Sequence, residues 1–432
     1  MYGDLVTPPD AEHRPAGRLG ALDALALRVV RDPRRVVAYP RMLLLAALLI
    51  AAARVVTGAA TKVDFVAFYT AGAFVRDART ADLSSIPAQL AFQEDVLHAG
   101  VRSIWVSPPL VAWAFAPLAA LPYPTAVAAF VALGAALFVL AVAVARRATG
   151  LDVPLGSLLL RSLSYFPAFA WLTFAQTSAI SLLLHCAAFA ALARRRDVLG
   201  GAFVGLFAFK PQQALALVIA LVVARRWRAL AGAALTAGAF VALSAMIAPA
   251  ESRAWLAESP RLFAFLRSAG YNAYGLHSLY GASALLLDGV SRGAATTLAA
   301  ALGVACAAWL VWLWARVRWE PAGDAWRLAW AATVAASTLL SPHLYFYDLA
   351  ILLLPAWIAF SVWKGPKAFL DDGPIASATA WVWALGFVGP YVTMAMLEPT
   401  SAAGHPFAVQ LGVIAVAVWT ARVGREARAR AS

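Results

Sequence analysis

Long apolar runs separated by short polar segments dominate the chain from about residue 40 onward. Residues 42–60, 124–145, 229–248 and 294–315 are the clearest of these runs. Each is close to the roughly 20 residues that a helix needs to cross about 30 Å of hydrocarbon. Shorter apolar runs fill much of the remaining sequence. The pattern therefore predicts an all-α, polytopic transmembrane helical bundle.

The composition agrees with a membrane protein. The 432 residues are 62% hydrophobic and 13% charged, whereas a soluble domain has about 25% charged residues. The net charge of +13 would suit a nucleic-acid-binding protein if the basic residues formed one face. The arginines instead form small clusters at the ends of apolar runs, as the positive-inside rule predicts. We expect membrane lipids as partners and no nucleic acid.

The arginine clusters also set the orientation, because cytoplasmic loops carry an excess of Lys and Arg. All clusters lie on one side only if segment 105–121 does not cross and segment 199–224 crosses twice. A turn at Lys210-Pro211 is reasonable because proline breaks a helix. This interpretation gives about 12 crossings with both termini in the cytoplasm. The predicted crossings are 42–60, 124–145, 154–171, 177–193, 199–210, 212–224, 229–248, 294–315, 326–341, 345–362, 375–396 and 406–421.

The same interpretation divides the chain into a transmembrane domain, 41–422, and two cytoplasmic tails, 1–40 and 423–432. Two outer loops are long, the first at 61–123 and the second at 249–293. Amphipathic and Pro-rich apolar pieces of the first loop are typical of helices that lie in the membrane interface.

Polar residues from distant parts of the sequence converge at the outer face under this topology. They are Asp64 after the first crossing, Gln176 and Lys210 at outer turns, and His343 with Asp348 at a third outer turn. Ionisable groups at membrane depth are costly, and they are usually functional or paired. The outer face is therefore the predicted location of the functional site.

Asp64 lies in an apolar interfacial segment, Val63-Asp64-Phe65. A desolvated carboxylate has a raised pKa and can act as a general base. The alternative from the residues alone is a helix N-cap, a position that favours Asp.

The other candidates also have two interpretations. Lys210 could hold a phosphate as a point charge or snorkel to the interface. His343 could donate to a phosphate or transfer a proton, or it could bond a loop carbonyl. Asp348 is expected to pair with a nearby cation. Gln176 could bind a ligand or satisfy neighbouring backbone.

Several chemistries have no motif in the sequence. No Walker A loop supports ATP-driven transport. No HExxH motif or paired Cys/His cluster indicates zinc. The two cysteines, Cys186 and Cys306, both fall in predicted helices and indicate no disulfide framework. We expect no metal and no cofactor.

Short motifs that follow one another in a fixed order carry a family resemblance. They are Asp64-Phe65-Val66-Ala67-Phe68-Tyr69 with Ala71-Gly72, Ser107-Pro108-Pro109-Leu110 with Ala116-Pro117-Leu118, Gln176, Lys210-Pro211-Gln212 with Arg225-Arg226-Trp227-Arg228, and Ser341-Pro342-His343-Leu344-Tyr345. Over roughly residues 40–365 the chain resembles glycosyltransferase family 87, the bacterial polyprenol-phosphate-mannose-dependent mannosyltransferases with the GT-C fold. Ser107 departs from the family pattern, which more often has tyrosine there.

The resemblance implies a GT-C bundle in the bacterial inner membrane with interfacial helices in the first outer loop and an extracytoplasmic active site. It implies Asp64 as the catalytic base. The donor would be a sugar, usually mannose, on polyprenyl phosphate, and the acceptor would be a glycolipid or a lipid-linked glycan.

On this basis we expect an inverting single displacement. Lys210 and His343 are the candidates to stabilise charge on the leaving phosphate, with His343 as the second catalytic residue. Tyr69, Gln176 and Asp348 are the further candidates for substrate binding, together with Lys210.

Three alternatives use the same membrane topology. A lipid-linked glycan transporter or flippase would also need basic phosphate contacts, but many such folds have inverted repeats, and the sequence has none that we detect. An enzyme resembling O-antigen ligases would transfer a preassembled glycan, but that class lacks the Asp64 motif directly after the first helix. A structural subunit would not need polar groups gathered on one face.

Overall fold

The structure, a computed structural model, describes residues 33–265, 275–362 and 410–431. These residues form 17 α-helices and no strand, so the fold is all-α as predicted. Leu276 and Tyr345 form an isolated antiparallel bridge. The helices are α1 Pro33–Val56, α2 Phe65–Arg76, α3 Ile86–Ala91, α4 Leu110–Ala119, α5 Tyr123–Thr149, α6 Leu155–Leu163, α7 Phe166–Phe174, α8 Ser178–Ala193, α9 Asp197–Gly205, α10 Leu215–Val223, α11 Trp227–Ile247, α12 Pro249–Phe265, α13 Leu279–Leu287, α14 Arg292–Trp314, α15 Asp324–Leu340, α16 Leu353–Val362 and α17 Leu411–Ala429.

Helices α5, α11 and α14 are each long and apolar enough to cross a membrane. Helix α5 has clear start and stop signals: Pro124 lies in its first turn, and Gly150 ends it in a left-handed conformation with φ of 70°. Proline suits the first turn because its missing N–H needs no partner there, and glycine adopts positive φ without steric cost. Other predicted crossings correspond to shorter helices or to two consecutive helical pieces.

The predicted crossing 154–171 is not one helix. Helix α6 ends at Leu163, and α7 begins at Phe166 and continues to Phe174. Pro167 stands in the first turn of α7, where it cannot donate the backbone bond that a continuous helix would need. The first six residues of α7 are buried, so protein surrounds this break, as non-helical backbone at membrane depth requires.

The predicted turn at Lys210-Pro211 is confirmed. Helix α9 continues as the 3-10 helix Leu206–Phe209, and the 3-10 helix Pro211–Gln213 precedes α10. Lys210, between the two pieces, leaves the helical region with φ of −140° and ψ of 67°. The proline therefore ends one helical segment and starts the next.

Some sequence boundaries differ from those of the structure. Helix α1 begins at Pro33, inside the predicted tail 1–40, and α17 continues to Ala429, through most of the predicted tail 423–432. The predicted crossing 375–396 lies outside the described residues, as does the start of the crossing 406–421.

Helices α2 and α4 form the centre of a small unit within residues 61–123, the predicted first outer loop. Helix α4 has 10 residues and spans about 15 Å, too short to cross the membrane, as expected for segment 105–121. The ring of Phe65 stacks on that of Phe130 of α5 at 4.7 Å and packs edge-on against Phe115 at 6.2 Å. A side chain at Gly72 would meet the backbone carbonyl of Phe115, so glycine permits this close helix approach.

The larger hydrophobic core lies in the bundle. Helix α8 packs against α5 and α9, and α15 packs against α16 and α17. Nearly all of α15 is buried, including Trp326 and Trp330, whose rings stack at 5.8 Å. The two predicted outer loops contact each other, because Trp255 of α12 donates its indole N–H to the carbonyl of Val106 at 3.0 Å.

The α9–α11 crossing depends on glycine and gives a test of the fold. A Cβ at Gly201 of α9 would overlap the carbonyl of Ala229 of α11, whereas Gly238 of α11 has open space around it. We expect Gly201→Ala to lower stability by about 1–3 kcal/mol through overpacking. The matched change Gly238→Ala should stabilise by up to about 1 kcal/mol through helix propensity.

Thermal unfolding of both variants in the same lipid nanodiscs measures the difference. Equal unfolding temperatures for the two variants would contradict this close helix crossing.

Candidate active site

Asp64 lies immediately before helix α2, at its N-cap position, but its side chain makes no capping bond. Instead, its Oδ2 accepts a hydrogen bond of 2.9 Å from the amide of Gln176. The hydroxyl of Tyr347 donates a second hydrogen bond to the carboxylate. An N-cap residue stabilises a helix through its side-chain bond to the backbone, so capping does not explain Asp64.

A strained backbone positions Gln176. Helix α7 ends at Phe174, and the next residue, Ala175, has φ of 49°. This left-handed conformation costs a non-glycine residue about 1–2 kcal/mol. Ala175 is only 1% exposed, and the surrounding packing holds it there. The resulting turn brings Gln176 to Asp64, which lies 112 residues earlier in the sequence.

Lys210 and Asp348 form an ion pair next to this contact. Lys210 Nζ lies 3.2 Å from Oδ1 and 3.4 Å from Oδ2 of Asp348. The hydroxyl of Ser178 donates to the same Oδ1 at 2.7 Å. The side chains of Lys210 and Asp348 are 16% and 6% exposed. The predicted cation partner of Asp348 is therefore present, and Lys210 is paired with it.

His343 joins the cluster through a chain of packed rings, the first contact being edge-on. Its ring lies 5.1 Å from that of Tyr345, and Tyr345 stacks on Tyr347 at 5.6 Å. Tyr347 in turn bonds to Asp64. The loop is fixed locally by the hydroxyl of Ser341, which donates to the His343 carbonyl at 3.1 Å.

Tyr69 lies one helical turn beyond Asp64 but has a different environment. Its hydroxyl donates to the carbonyl of Leu121 at 2.8 Å, and its ring packs edge-on against Tyr123 at 5.1 Å. These contacts join α2 to the start of α5. The structure does not place Tyr69 in contact with the other candidates, and its role in substrate binding stays a prediction.

The surroundings shift the pKa values of two groups in opposite directions. Burial raises the pKa of Asp64 above its usual 3.8, while the hydrogen bonds from Gln176 and Tyr347 and the charge of Arg54 oppose that rise. Burial lowers the pKa of His343 to about 4, with Asp348 opposing this shift and Lys210 adding to it. At neutral pH His343 is therefore an uncharged imidazole, which can donate one N–H and accept at its other nitrogen.

Access to the cluster is uneven. Asp64, Lys210 and His343 are each partly exposed, whereas Ser178 and Asp348 behind them are buried. A ligand can therefore reach a carboxylate, an ammonium group and an imidazole supported by a buried polar layer. Such a set can accept a proton and stabilise a developing anion.

The sequence did not identify three further members of this cluster. Ser178 opens α8, and Tyr347 lies in the 3-10 helix Phe346–Leu352; neither residue type stands out in an apolar segment. Arg54 carried a detectable signal, since an arginine in the last turn of an apolar helix is unusual at membrane depth. Its guanidinium group lies close enough to influence Asp64.

Metal ligands are a separate question. In residues 33–265, 275–362 and 410–431, no group of three or more His, Cys, Asp and Glu side chains could hold a metal ion. The expectation that no metal or cofactor takes part stays a prediction.

The fold and the site define a helical membrane protein with an acid–base cluster next to an ion pair. A sequence comparison gives the family: the model of glycosyltransferase family 87 matches residues 105–342, and the chain belongs to this family. The protein is therefore a glycosyltransferase. No curated protein and no solved structure matches the chain. The matched segment contains Gln176 and Lys210, and Asp64 and His343 lie outside it.

The hydrogen bond from Gln176 should be visible in the pH dependence of activity. That bond stabilises the charged carboxylate of Asp64 and lowers its pKa. Gln176→Met removes the donor, so the pKa of Asp64 rises further. If Asp64 acts as an ionised base, the acidic limb of kcat/KM should move to higher pH.

Gln93→Met is the control, because Gln93 is a second buried glutamine, with its amide bonded to the carbonyl of Ser103 at 2.6 Å. Its pH profile should match that of the wild type. An unmoved acidic limb in Gln176→Met would mean that the titrating group is not Asp64.

Proposed function

We propose that the protein transfers a sugar, mannose in the first instance, from polyprenyl phosphate to a glycolipid or lipid-linked glycan. The reaction would take place at the extracytoplasmic face of the bacterial inner membrane. The observation that supports this most directly is the Asp64 carboxylate. It is turned away from its own helix, held by Gln176 and Tyr347, and placed beside cationic groups.

The proposed reaction is one inverting displacement. The acceptor hydroxyl gives its proton to Asp64, and its oxygen bonds to the anomeric carbon. The bond from that carbon to the phosphate oxygen breaks, and its electron pair leaves with the polyprenyl phosphate. Negative charge thus moves from Asp64 to the phosphate. No covalent sugar–enzyme bond forms, so one carboxylate is sufficient.

Two further groups fit the needs of this step. Lys210 is a partly exposed cation held by Asp348 and could reach a phosphate oxygen while keeping that pair. His343, uncharged at neutral pH, would donate its N–H to the leaving phosphate. Preorganised donors of this kind act where charge develops in the transition state.

The membrane arrangement is part of the proposal. It has a GT-C bundle of about 12 crossings, with α2, α3 and α4 lying in the outer interface. Short apolar helices such as α4 suit that position because they cannot span the hydrocarbon. The polyprenyl chain would lie between this interfacial unit and the bundle, and its phosphate would lie near Asp64.

A donor panel tests the proposal. Purified protein in nanodiscs is incubated with membrane glycolipids and one of three labelled donors: polyprenyl-phosphate mannose, a mannose nucleotide, or a glycan on polyprenyl diphosphate. We expect label transfer from the first donor alone. Transfer only from the nucleotide, or only of the preassembled glycan, would overturn the proposed donor. Movement of an intact lipid-linked glycan between leaflets, without transfer, would instead identify a transporter.

A further inference from the structure

The cations near Asp64 are not equivalent. Lys210 lies 3.2 Å from Asp348, so the pair carries no net charge. His343 is uncharged at neutral pH because burial depresses its pKa. None of the ion pairs found among the described residues includes Arg54. Arg54 is therefore a cation of this region whose charge is not matched by a contacting carboxylate among the described residues.

The guanidinium group of Arg54 is held in place by two hydrogen bonds, and some of its other N–H donors have no partner among the described residues. Its Nη2 donates to the carbonyls of Ala59 and Lys62, both at 2.9 Å. Arginine has five N–H donors arranged in a planar fork. In the described residues no protein acceptor contacts its Nε or Nη1. These donors suit the oxygens of a phosphate, which arginine often binds with two parallel bonds.

Arg54 and Asp64 are also connected through the same two aromatic rings, those of Phe174 and Tyr347. Its guanidinium carbon is 5.9 Å from the centre of the Phe174 ring. Phe174 packs against Tyr347 at 6.0 Å, and Tyr347 donates to Asp64. The helix that carries Arg54 ends at Val56, at the outer face of the proposed topology. A phosphate beside Asp64 would therefore lie within reach of this side chain.

We propose that Arg54 is the main binding residue for the phosphate of polyprenyl phosphate, because the charge of Lys210 is already paired with Asp348. This inference rests on the proposed function. In the resting enzyme Arg54 faces the charged Asp64. When Asp64 takes the proton from the acceptor, the negative charge passes to the leaving phosphate, and Arg54 interacts with that phosphate. The total charge of the site is unchanged during the step.

Arg54 could instead only hold the turn between α1 and α2, through its bonds to Ala59 and Lys62. That role predicts a different pattern of defects. A damaged turn would misplace Asp64 and reduce the affinity for all ligands alike, whether they are charged or uncharged. A phosphate contact would weaken only ligands that carry the phosphate.

Equilibrium binding separates the two roles. Polyprenyl phosphate and the uncharged polyprenol of the same length are titrated into purified full-length protein in neutral-lipid nanodiscs. A hydrogen bond to a charged group contributes about 1.5–3 kcal/mol. We therefore expect Arg54→Gln to reduce the affinity for polyprenyl phosphate by roughly 10- to 100-fold. The affinity for polyprenol should stay unchanged. Arg54→Lys should restore part of the affinity for the phosphate.

Lys62→Gln is the matched control. Lys62 carries the same charge two residues before Asp64, but its side chain lies over Gly100. It should bind both ligands as the wild type does. The assignment would be overturned if Arg54→Gln reduced the affinity for both ligands equally, or if it changed the affinity for neither ligand.

A second measurement excludes a folding defect. Asp64→Asn removes the charge that faces Arg54, so it should tighten the binding of polyprenyl phosphate when Arg54 is present. The same change should tighten binding less in the Arg54→Gln background, because only the direct repulsion between Asp64 and the phosphate is relieved there. Equal tightening in both backgrounds would contradict the proposal. If the wild type does not prefer polyprenyl phosphate to polyprenol, the proposed donor itself fails, which distinguishes the two failures.

Discussion

Replacing Asp64 with asparagine is expected to reduce the rate of sugar transfer by about 10²- to 10⁴-fold, the usual contribution of a general base. Asparagine has nearly the same shape and can still accept the bond from Gln176 through its amide oxygen. It cannot take a proton from the acceptor hydroxyl. The loss should therefore appear in kcat under single-turnover conditions, while the protein folds and binds donor.

The control for this prediction is Asp77→Asn. Asp77 lies at the opposite end of the same helix, is exposed, and pairs with Arg76 at 2.7 Å. The identical chemical change there should leave the rate within a factor of about two, since surface pairs contribute little. If Asp64→Asn and Asp77→Asn transfer sugar equally fast, Asp64 is not the base.

The second large effect is expected on stability, at the pair formed by Lys210 and Asp348. Removing one partner of a buried ion pair costs about 3–5 kcal/mol, because the other charge is left without compensation. Lys210→Met leaves the nearly buried carboxylate of Asp348 with the hydroxyl of Ser178 as its remaining partner among the described residues. Asp348→Asn should cost less, because the long lysine side chain can shift its charge towards water.

The double variant, Lys210→Met with Asp348→Leu, removes both charges. It should recover most of the stability lost in Lys210→Met, since an apolar pair often replaces a buried ion pair without loss. Thermal unfolding in nanodiscs measures all three variants. Glu94→Gln, at an exposed pair with Arg102, is the control and should change stability by less than about 1 kcal/mol. A double variant that is no more stable than Lys210→Met would contradict coupling between Lys210 and Asp348.

Much of the helical architecture could be predicted from local sequence. Proline after Lys210 predicted the turn between α9 and α10, and the apolar run 124–145 predicted α5. These features depend on helix length and on residues that break helices, both of which are visible in a single sequence. The break between α6 and α7 was missed although Pro167 marked it. The apolar run is long enough to cross the membrane and so predicted one continuous helix despite the proline. Neighbouring helices bury the break, and that burial cannot be seen in the sequence.

The site was only partly predictable for the same reason. Charged or polar residues in apolar surroundings, such as Asp64 and Lys210, could be selected by position. Their partners could not, because the bond from Gln176 to Asp64 joins residues far apart in sequence. Ser178 and Tyr347 carry no charge and gave no signal. Arg54 was visible as a charged residue in an apolar run, but only its contacts in the folded chain connect it with Asp64.

We propose a single inverting transfer from a polyprenyl-phosphate sugar. The most direct measurement is the anomeric configuration of the product, determined by NMR after purified enzyme transfers ¹³C-labelled mannose from polyprenyl phosphate of known configuration. We expect a glycosidic bond of the opposite configuration to that of the donor. A product that retains the donor configuration would require a second displacement and would contradict Asp64 as the base of one inverting step.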